Sequence, residues 1–562
     1  MPVAWTIHCH DEELRQAAQD WLAQAQLSGA PLPQAGELLV RIVREPVEPP
    51  SCADAASAAL AAHEGYALVT SGRPPRAEAQ IGCGGRRGLY YALEELRQLA
   101  GAAHWREVRQ RTAPRFPVRG IVEGFYGPPW TAAQRLEMLA YIAARRMNTY
   151  VYAPKDDPYH RSWWREPYDG PALEQLAALL ARAQELALDF VYCLSPGLSM
   201  RYAADEDYRA LLTKTRQLFD LGVRRFGLLL DDIPPRLQHR MDVDAFPDLT
   251  SAQIALIRRY YADLLAWDPA IRLVVCPTGY WGKGDEPELA ALGAGIDPRI
   301  DLFWTGRNIC SQELTLAEAA LFSRSAHRPP LYWDNYPVND MAMTCEMHIG
   351  PYRLRDRHLY RFSRGIIANV MPYAACSRLP LATIADYAWD PEGYDPEASW
   401  QAALARSVPD ELQQPLALLA DNVRASCFGP PESPALEEAL ARSLFNRLYQ
   451  PEAGDWRLAL ESHLTRLAAA ADALRDRACE LPLLDELRPW TEQFAGGIRL
   501  LQQAADCLAA PSEATCRLLR AALDHYERQQ RHAQVFGDVL SGYVLEVLAQ
   551  SSTPTTTKNE GC

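Results

Sequence analysis

The stretch Arg225-Phe-Gly-Leu-Leu-Leu-Asp-Asp-Ile-Pro-Pro235 places two adjacent aspartates where a run of apolar residues gives way to a proline turn. A short apolar run bounded by turn residues predicts a strand that is buried on both faces. Neighbouring carboxylates repel each other, and buried charge is unfavourable unless it is paired or used. Three uses of Asp231 and Asp232 stay open at this point: an N-cap for a helix, a cation site, and acid/base catalysis.

Seven further runs of this kind surround the aspartates, and segments with helical periodicity separate them. The eight runs are Val118–Glu123, Asn148–Ala153, Asp189–Leu194, Arg225–Leu230, Arg272–Cys276, Ile300–Trp304, Pro330–Trp333 and Gly365–Asn369. Eight buried strands that alternate with helices over about 250 residues predict the α/β class and a (β/α)8 TIM barrel. A doubly wound parallel sheet is the structural alternative.

Regions of different organisation flank the predicted barrel. Short apolar strands and helices mix before it, and leucine and alanine recur at helical spacing after it. The expected units are a small N-terminal α/β domain at residues 1–113, the barrel at 114–395, a C-terminal helical bundle at 396–550 and a disordered polar tail at 551–562.

The composition is that of an acidic globular protein. The 562 residues are 48% hydrophobic and 23% charged, and the net charge is -14. No run rich in Lys and Arg is dense enough for a polyanion, so no nucleic-acid partner is expected. No stretch reads as an export signal or a bilayer span, so no membrane partner is expected either. The 13 cysteines form no Cys-x-x-Cys pair, which predicts reduced thiols and a cytoplasmic location.

No cofactor and no metal are expected. The glycine-rich segment Gly82–Gly88 precedes a helix, but Arg87 stands where a dinucleotide fingerprint needs its third glycine. No His-x-x-x-His or Glu-x-x-His spacing lies near the aspartates. We interpret His8-Cys9-His10 as strand alternation and the sulfur-rich segment Met341–His348 as loop packing.

Polar and aromatic residues follow nearly every predicted strand. The carboxyl ends of barrel strands form one face, and active sites lie there. Amide and carboxylate groups can bond sugar hydroxyls, while aromatic rings such as those of Tyr126, Trp304 and Trp333 can pack against a pyranose ring. The sequence therefore favours a carbohydrate ligand over a phosphate, which would need more cations or helix N-termini.

Several long motifs occur in the order and form of one known family. They are Gly120–Trp130, Asn148–Asp157, His160–Tyr168, Leu228–Ile233, Trp304–Gly306, Trp333–Asn335 and Asn339-Asp340. These motifs resemble glycoside hydrolase family 84, the β-N-acetylglucosaminidases that include protein O-GlcNAcases. The resemblance implies hydrolysis with retention, in which the substrate's own 2-acetamido oxygen attacks the anomeric carbon and forms an oxazoline.

The resemblance also implies unequal roles for the two aspartates. Asp231 would stay ionised and orient the acetamido N–H, whereas Asp232 would protonate the leaving oxygen and then deprotonate water. Because the acid must begin protonated, the two pKa values should be pushed apart. Tyr280 would bond the acetamido oxygen. The residues implied in substrate binding are Gly124, Lys155, Thr305, Trp333, Asn335, Asp340 and Asn369.

The expected function is therefore that of a retaining exo-β-N-acetylglucosaminidase. Its partners would be GlcNAc-bearing glycoproteins, peptides or glycosides, and a homodimer is compatible with the sequence. Two alternatives stay open: a non-catalytic GlcNAc-binding scaffold, and hyaluronidase-type activity on GlcNAc-containing oligosaccharides. Two departures from the family pattern concern the entrance to the site. Gly279 stands where members commonly carry a glutamate. The residues of the segment Met341–His348 are unusual for this loop of the family.

Overall fold

The computed structural model describes residues 4–27, 37–47, 55–73, 76–101, 105–429, 433–449 and 456–552. Within these ranges the strands form two sheets, an open one near the N-terminus and a closed barrel. No helix in these ranges combines the length and the apolar character that crossing a membrane requires.

The N-terminal sheet has five strands in the order β1-β2-β4-β3-β5. Its strands are β1 Ala4–Cys9, β2 Glu37–Arg44, β3 Tyr66–Arg73, β4 Arg76–Cys83 and β5 Arg109–Thr112. Strands β1, β2 and β4 are parallel, whereas β3 runs antiparallel to both β4 and β5. The helices of this part are α1 Glu12–Leu27, α2 Ala55–Glu64 and α3 Arg86–Gly101.

Eight parallel strands then close into a barrel, in which β13 pairs with β6. They are β6 Val118–Glu123, β7 Thr149–Tyr152, β8 Asp189–Leu194, β9 Arg225–Leu229, β10 Arg272–Cys276, β11 Asp301–Trp304, β12 Leu331–Asp334 and β13 Gly365–Asn369. Nearly all of their residues are buried, as strands covered on both faces must be. The closure confirms the predicted barrel and excludes the doubly wound sheet.

Helices surround the barrel and form its outer layer. They are α4 Ala132–Ala144, α5 Gly170–Glu185, α6 Asp205–Asp220, α7 Arg240–Ala245, α8 Leu249–Trp267, α9 Pro287–Gly295, α10 Leu316–Ala326 and α11 Ala374–Trp389. Local chemistry fixes several helix starts. At α4, for example, the Thr131 hydroxyl accepts a bond from the Gln134 backbone N–H while the Gln134 side chain accepts one from the Thr131 N–H.

The C-terminal part is helical. It comprises α12 Pro396–Ser407, α13 Asp410–Asp421, α14 Pro434–Tyr449, α15 Trp456–Asp476, α16 Pro482–Glu486, α17 Arg488–Ala509, α18 Glu513–Gln529 and α19 Gly537–Ser552. Its apolar core extends to Met347, Ile349 and Met371 of the barrel. The predicted tail lies outside the described residues except for the last turn of α19, and the predicted domain boundaries stay predictions.

A buried ionic cluster joins the N-terminal sheet region to the amino-terminal end of the barrel. Glu64, 5% exposed, accepts bonds from Arg119 at 2.5 Å, from Arg87 at 2.7 Å and from Asn148 at 3.2 Å. Arg119 lies in β6 and Asn148 directly precedes β7. The two arginines together lower the pKa of Glu64 although burial, the largest single effect, raises it. This cluster fixes the end of the barrel opposite the strand ends that carry the aspartates.

Candidate active site

A cavity of about 770 Å³ opens at the carboxyl ends of the barrel strands. It lies in the size range of small-molecule sites, about 300–1,000 Å³. All ten residues predicted from the sequence line it: Gly124, Lys155, Asp231, Asp232, Tyr280, Thr305, Trp333, Asn335, Asp340 and Asn369. The structure thus brings the whole predicted set together, while the individual roles stay predictions.

Asp231 is buried and has one occupied and one unoccupied carboxylate oxygen. Its Oδ2 accepts a hydrogen bond from the ammonium group of Lys155, which is itself 5% exposed. Its Oδ1 is buried and has no hydrogen-bond partner among the described residues. A buried oxygen without a partner is unfavourable by about 1–3 kcal/mol, so this atom is prepared to accept a bond from a ligand.

Asp232 adopts a left-handed backbone conformation, with φ at 53°. Its Oδ2 accepts bonds from the Tyr126 hydroxyl at 2.7 Å and from Lys155 at 3.4 Å, and its Oδ1 accepts one from the Tyr280 hydroxyl at 3.0 Å. Burial raises the pKa of Asp232, but the Lys155 charge and the two hydroxyls together outweigh it and lower the pKa below its ordinary value. These contacts therefore favour the ionised carboxylate, whereas the role implied for Asp232 requires it to begin protonated.

Two of the groups that bind Asp232, Lys155 and Tyr280, have pKa values shifted upward. Burial lowers the pKa of Lys155, but Asp231 and Asp232 together raise it well above its ordinary value, so this ammonium stays charged. Burial, followed by the Asp232 charge, raises the pKa of Tyr280. Its hydroxyl remains a proton donor throughout the physiological range.

One wall of the cavity is built around Trp333. Its indole Nε1 donates to Asn335 Oδ1 at 3.0 Å, and its ring meets Phe303 edge-on at 5.2 Å between centroids. Asn369 Nδ2 donates to the same Asn335 oxygen at 2.9 Å, and the Asn335 amide donates to the Ile309 carbonyl at 2.8 Å. Asn335 therefore uses both its oxygen and its amide nitrogen in hydrogen bonds within the protein, and these bonds hold its neighbours in place.

The remaining predicted residues differ in how free their polar atoms are. Asn369 Oδ1 is buried without a partner among the described residues, so it can accept a bond from a ligand. Asp340 Oδ2 accepts a bond from the Tyr126 backbone N–H at 2.7 Å, and burial raises the pKa of Asp340. The Thr305 hydroxyl donates to the Asn308 carbonyl at 2.8 Å, which leaves its methyl group as the part available for packing.

Gly124 is required by the close approach of the Trp333 ring. A Cβ atom at this position would lie 2.4 Å from Trp333 Cζ2 and 3.1 Å from Asn369 Oδ1. Gly279, by contrast, has open space where its Cβ would lie, with no atom within 4 Å. The backbone at Gly124 thus lets the indole and the amide lie side by side.

Two features of the cavity were not assigned from the sequence. Tyr126 was expected only as an aromatic wall, yet its hydroxyl binds Asp232 and accepts a bond from Arg161 at 2.9 Å. Trp281, 48% exposed, lies at the rim beside Tyr280. Within the described part of the chain, no group of three or more His, Cys, Asp and Glu side chains is arranged to hold a metal ion.

A closed parallel barrel whose sugar-sized cavity holds paired carboxylates, a buried lysine and aromatic walls defines a protein of the glycoside hydrolase class. The family model for β-N-acetylglucosaminidases matches residues 119–421. The chain therefore belongs to this family, glycoside hydrolase family 84.

Known relatives agree with this assignment. The protein O-GlcNAcases of Rattus norvegicus and Mus musculus are each 35% identical over 259 residues, which are 44% of this chain and 27% of theirs. The chain thus spans about a quarter of the length of these curated relatives. A mutant of the Thermobaculum terrenum O-GlcNAc hydrolase is 30% identical with a TM-score of 0.71, covering 78% of this chain and 95% of that one.

A further solved structure extends the likeness in fold to nearly the whole chain. CpGH84B superposes with a TM-score of 0.77 at 24% identity, over 97% of this chain and 96% of its own. At this identity the likeness concerns the fold alone. It includes the N-terminal sheet and the helical part as well as the barrel.

Proposed function

We propose that the protein is a retaining exo-β-N-acetylglucosaminidase, which removes terminal β-linked GlcNAc from proteins or glycosides through an oxazoline intermediate. This proposal rests on the different environments of the two carboxylate oxygens of Asp231. The Lys155 ammonium donates to one oxygen and balances the carboxylate charge. The other oxygen is buried and has no hydrogen-bond partner among the described residues. A 2-acetamido N–H is the kind of donor that this oxygen lacks.

In the first step, Asp231 would accept the acetamido N–H and thereby direct the acetamido oxygen toward the anomeric carbon. A carboxylate that accepts this hydrogen bond polarises the N–H bond and increases the electron density on the acetamido oxygen. That oxygen becomes a stronger nucleophile. The buried ammonium of Lys155 forms an ion pair with this carboxylate and holds it in position. No enzyme nucleophile is needed, which distinguishes this scheme from the usual two-carboxylate mechanism.

Asp232 would donate a proton to the leaving oxygen and later take one from water. Lys155 and two tyrosine hydroxyls favour its ionised form. A sugar in the cavity excludes water, which raises the pKa of a carboxyl. If the Tyr280 hydroxyl turns toward the acetamido oxygen, Asp232 also loses one stabilising donor. Substrate binding itself would therefore shift Asp232 toward the protonated form that general-acid catalysis needs.

A series of substrates with fluorinated acetamido groups tests the internal nucleophile. Aryl β-glycosides of GlcNAc carrying N-acetyl, N-fluoroacetyl, N-difluoroacetyl and N-trifluoroacetyl groups share one leaving group. Fluorine withdraws electrons from the acetamido oxygen, so kcat/KM should fall stepwise along the series. An equal kcat/KM for all four would exclude attack by the acetamido oxygen.

The Asp231→Asn variant tests the orienting carboxylate, because it removes the charge and keeps the shape. We expect kcat to fall by about 100- to 1,000-fold, the range found when one preorganised electrostatic contact is removed. The matched control is Asp156→Asn on the same face of the barrel, since Asp156 accepts a bond from the Gly127 N–H at 2.8 Å and does not line the cavity. Equal rates for Asp231→Asn and the control would refute the role given to Asp231.

A further inference from the structure

Three sulfur atoms from three separate segments meet at the mouth of the cavity. Cys310 follows β11, Met343 ends the short 3-10 helix Met341–Met343 after β12, and Cys427 follows α13. The Cys427 Sγ lies 3.5 Å from the Met343 Sδ, and the Cys310 thiol lies near enough to the Cys427 thiol for each to shift the pKa of the other. All three residues line the cavity that holds the aspartates.

Hydrogen bonds hold the segments that carry these sulfur atoms. Gln312, two residues after Cys310, donates from Nε2 to the Cys427 carbonyl at 3.0 Å and so joins the segments of the two cysteines. The backbone N–H of Met343 donates to the Asp340 carbonyl at 2.8 Å. The methionine therefore lies one turn from the candidate sugar ligand Asp340.

Charge around the sulfurs favours a cation. Asp340 acts electrostatically on Cys310 and Glu346 acts on Cys427, whereas the charge of Asp334 is already paired with Arg355 at 2.7 Å. Thiolate and thioether donors select soft metal ions, and carboxylates nearby raise the local concentration of cations. His348, the nearest imidazole, is engaged by Glu346 at 2.8 Å and by the Val338 carbonyl at 2.8 Å, so the donors available are the three sulfurs.

The geometry points to a binding site for a soft monovalent cation, of which Cu(I) and Ag(I) are examples, formed by Cys310, Cys427 and Met343. At a metal–sulfur distance of about 2.3 Å, donors on a common ion stand about 3.8–4.0 Å apart. The Cys427–Met343 separation of 3.5 Å needs only a small opening to reach this value. Binding would release the two thiol protons, so the ion and two thiolates together carry one negative charge.

An ion at this position would also affect the cavity beneath it. It would cross-link the loop after β11, the loop after β12 and the segment after α13 on one side of the opening. Met343 and Asp340 would lose their freedom to adjust to a ligand, because their backbones are hydrogen-bonded. Occupancy should therefore lower the binding of any substrate that enters between these segments.

Titration of the reduced full-length protein with Cu(I), under anaerobic conditions and against a coloured Cu(I) chelator, measures the site directly. The wild type is compared with Cys310→Ser, Cys427→Ser and Met343→Leu. Cys479→Ser is the control, since this exposed thiol lies on the helical part away from the cavity. Cys507 and Cys516, whose sulfurs lie 3.7 Å apart, could bind the ion independently, so all variants are made with Cys516→Ser already present.

We expect each cysteine variant to lose more than about 100-fold in affinity for one bound Cu(I). Mutating a residue that only hydrogen-bonds to a metal ligand already lowers metal affinity by about 10- to 100-fold, and a ligand itself should matter more. Met343→Leu should lose less, and Cys479→Ser should match its parent. X-ray absorption of the one-equivalent complex should show sulfur neighbours alone. Unchanged affinity in both Cys310→Ser and Cys427→Ser, or nitrogen and oxygen neighbours around the ion, would overturn the site.

Glycosidase activity gives a second readout, which does not decide whether the ion binds. Each variant is first assayed without Cu(I), and inhibition is expressed relative to that rate. One equivalent should inhibit the parent and spare the two cysteine variants. Binding without inhibition, or equal inhibition in all variants, would refute the effect of this site on the cavity, while the titration alone decides whether the ion binds.

Discussion

The Gly124→Ala substitution tests the idea that the wall of the cavity depends on direct contact between the backbone and the Trp333 ring. The new methyl carbon would lie 2.4 Å from Trp333 Cζ2 and 2.8 Å from Cη2, whereas ordinary contact begins at 3.4 Å. The ring must therefore move by about 1 Å. It cannot do so freely, because its Nε1 is bonded to Asn335 and its ring packs against Phe303 in a perpendicular arrangement.

The substitution should have two effects, one on stability and one on catalysis. Overpacking of a filled interior destabilises a fold by about 1–3 kcal/mol. A displacement of about 1 Å in a group that positions the substrate lowers catalysis by about 100-fold. We therefore expect kcat/KM on an aryl β-GlcNAc to fall by about 100-fold while the variant still unfolds cooperatively in denaturant. A 100-fold loss in kcat/KM corresponds to about 2.7 kcal/mol, near the upper end of the range expected for the loss of stability.

Gly279→Ala is the matched control, because the same methyl group would meet no atom within 4 Å although it lies next to Tyr280. We expect its kcat/KM and its unfolding midpoint to equal those of the wild type. A crystal structure of Gly124→Ala should show the Trp333 ring displaced. A fully active Gly124→Ala variant, or an inactive one with Trp333 in its original position, would refute the steric explanation.

Three further predictions concern charge. Asp232→Ala should slow substrates with poor leaving groups far more than activated aryl glycosides, and equal losses across a leaving-group series would contradict its role as the acid. The basic limb of the kcat profile against pH should lie at higher pH than that of kcat/KM, because Lys155 and the two tyrosines lower the pKa of Asp232 and a bound sugar would raise it; coincident limbs would contradict this shift. Glu64→Gln should destabilise the fold by about 3–5 kcal/mol at pH 7, since it leaves Arg119 buried without its charge partner. Because the folded-state pKa of Glu64 is below 4.5, its stabilising contribution is present above that pH and is lost as the pH falls; denaturant unfolding of the two proteins at pH 7 and at acid pH checks whether their difference shrinks.

The barrel strands could be predicted because their signal is local. Each is a short apolar run between turn residues, and burial on both faces makes the run continuous. The predicted Val118–Glu123 and Asp189–Leu194 coincide with β6 and β8 as the structure has them. Strand β4, Arg76–Cys83, carries charged and small residues such as Glu78 and Ala79, so the same criterion did not reveal it.

The composition of the cavity could be predicted because barrel topology gathers the strand ends, but the pairing of its atoms could not. Asn335 and Ile309 are 26 residues apart, and Tyr126 and Asp232 are 106 apart. Such contacts depend on loop conformations that no local pattern encodes. The resemblance implies that Asn335 binds substrate, and this role stays a prediction; that its amide also donates to the Ile309 carbonyl could not be seen from the sequence. The sulfur cluster was missed for the same reason, since Cys310 and Cys427 come from separate segments.

The left-handed conformation of Asp232 explains how two consecutive residues can serve one cavity. In an extended strand, neighbouring side chains point to opposite faces, so a regular continuation of β9 would send the two carboxylates apart. At φ 53° the chain leaves the strand geometry, and Lys155 contacts both carboxylates. Aspartate tolerates this conformation better than most residues because its side chain is short and polar. The requirement for an acid and the requirement for left-handed backbone thus select the same residue at position 232, and a glutamate there would satisfy only the first.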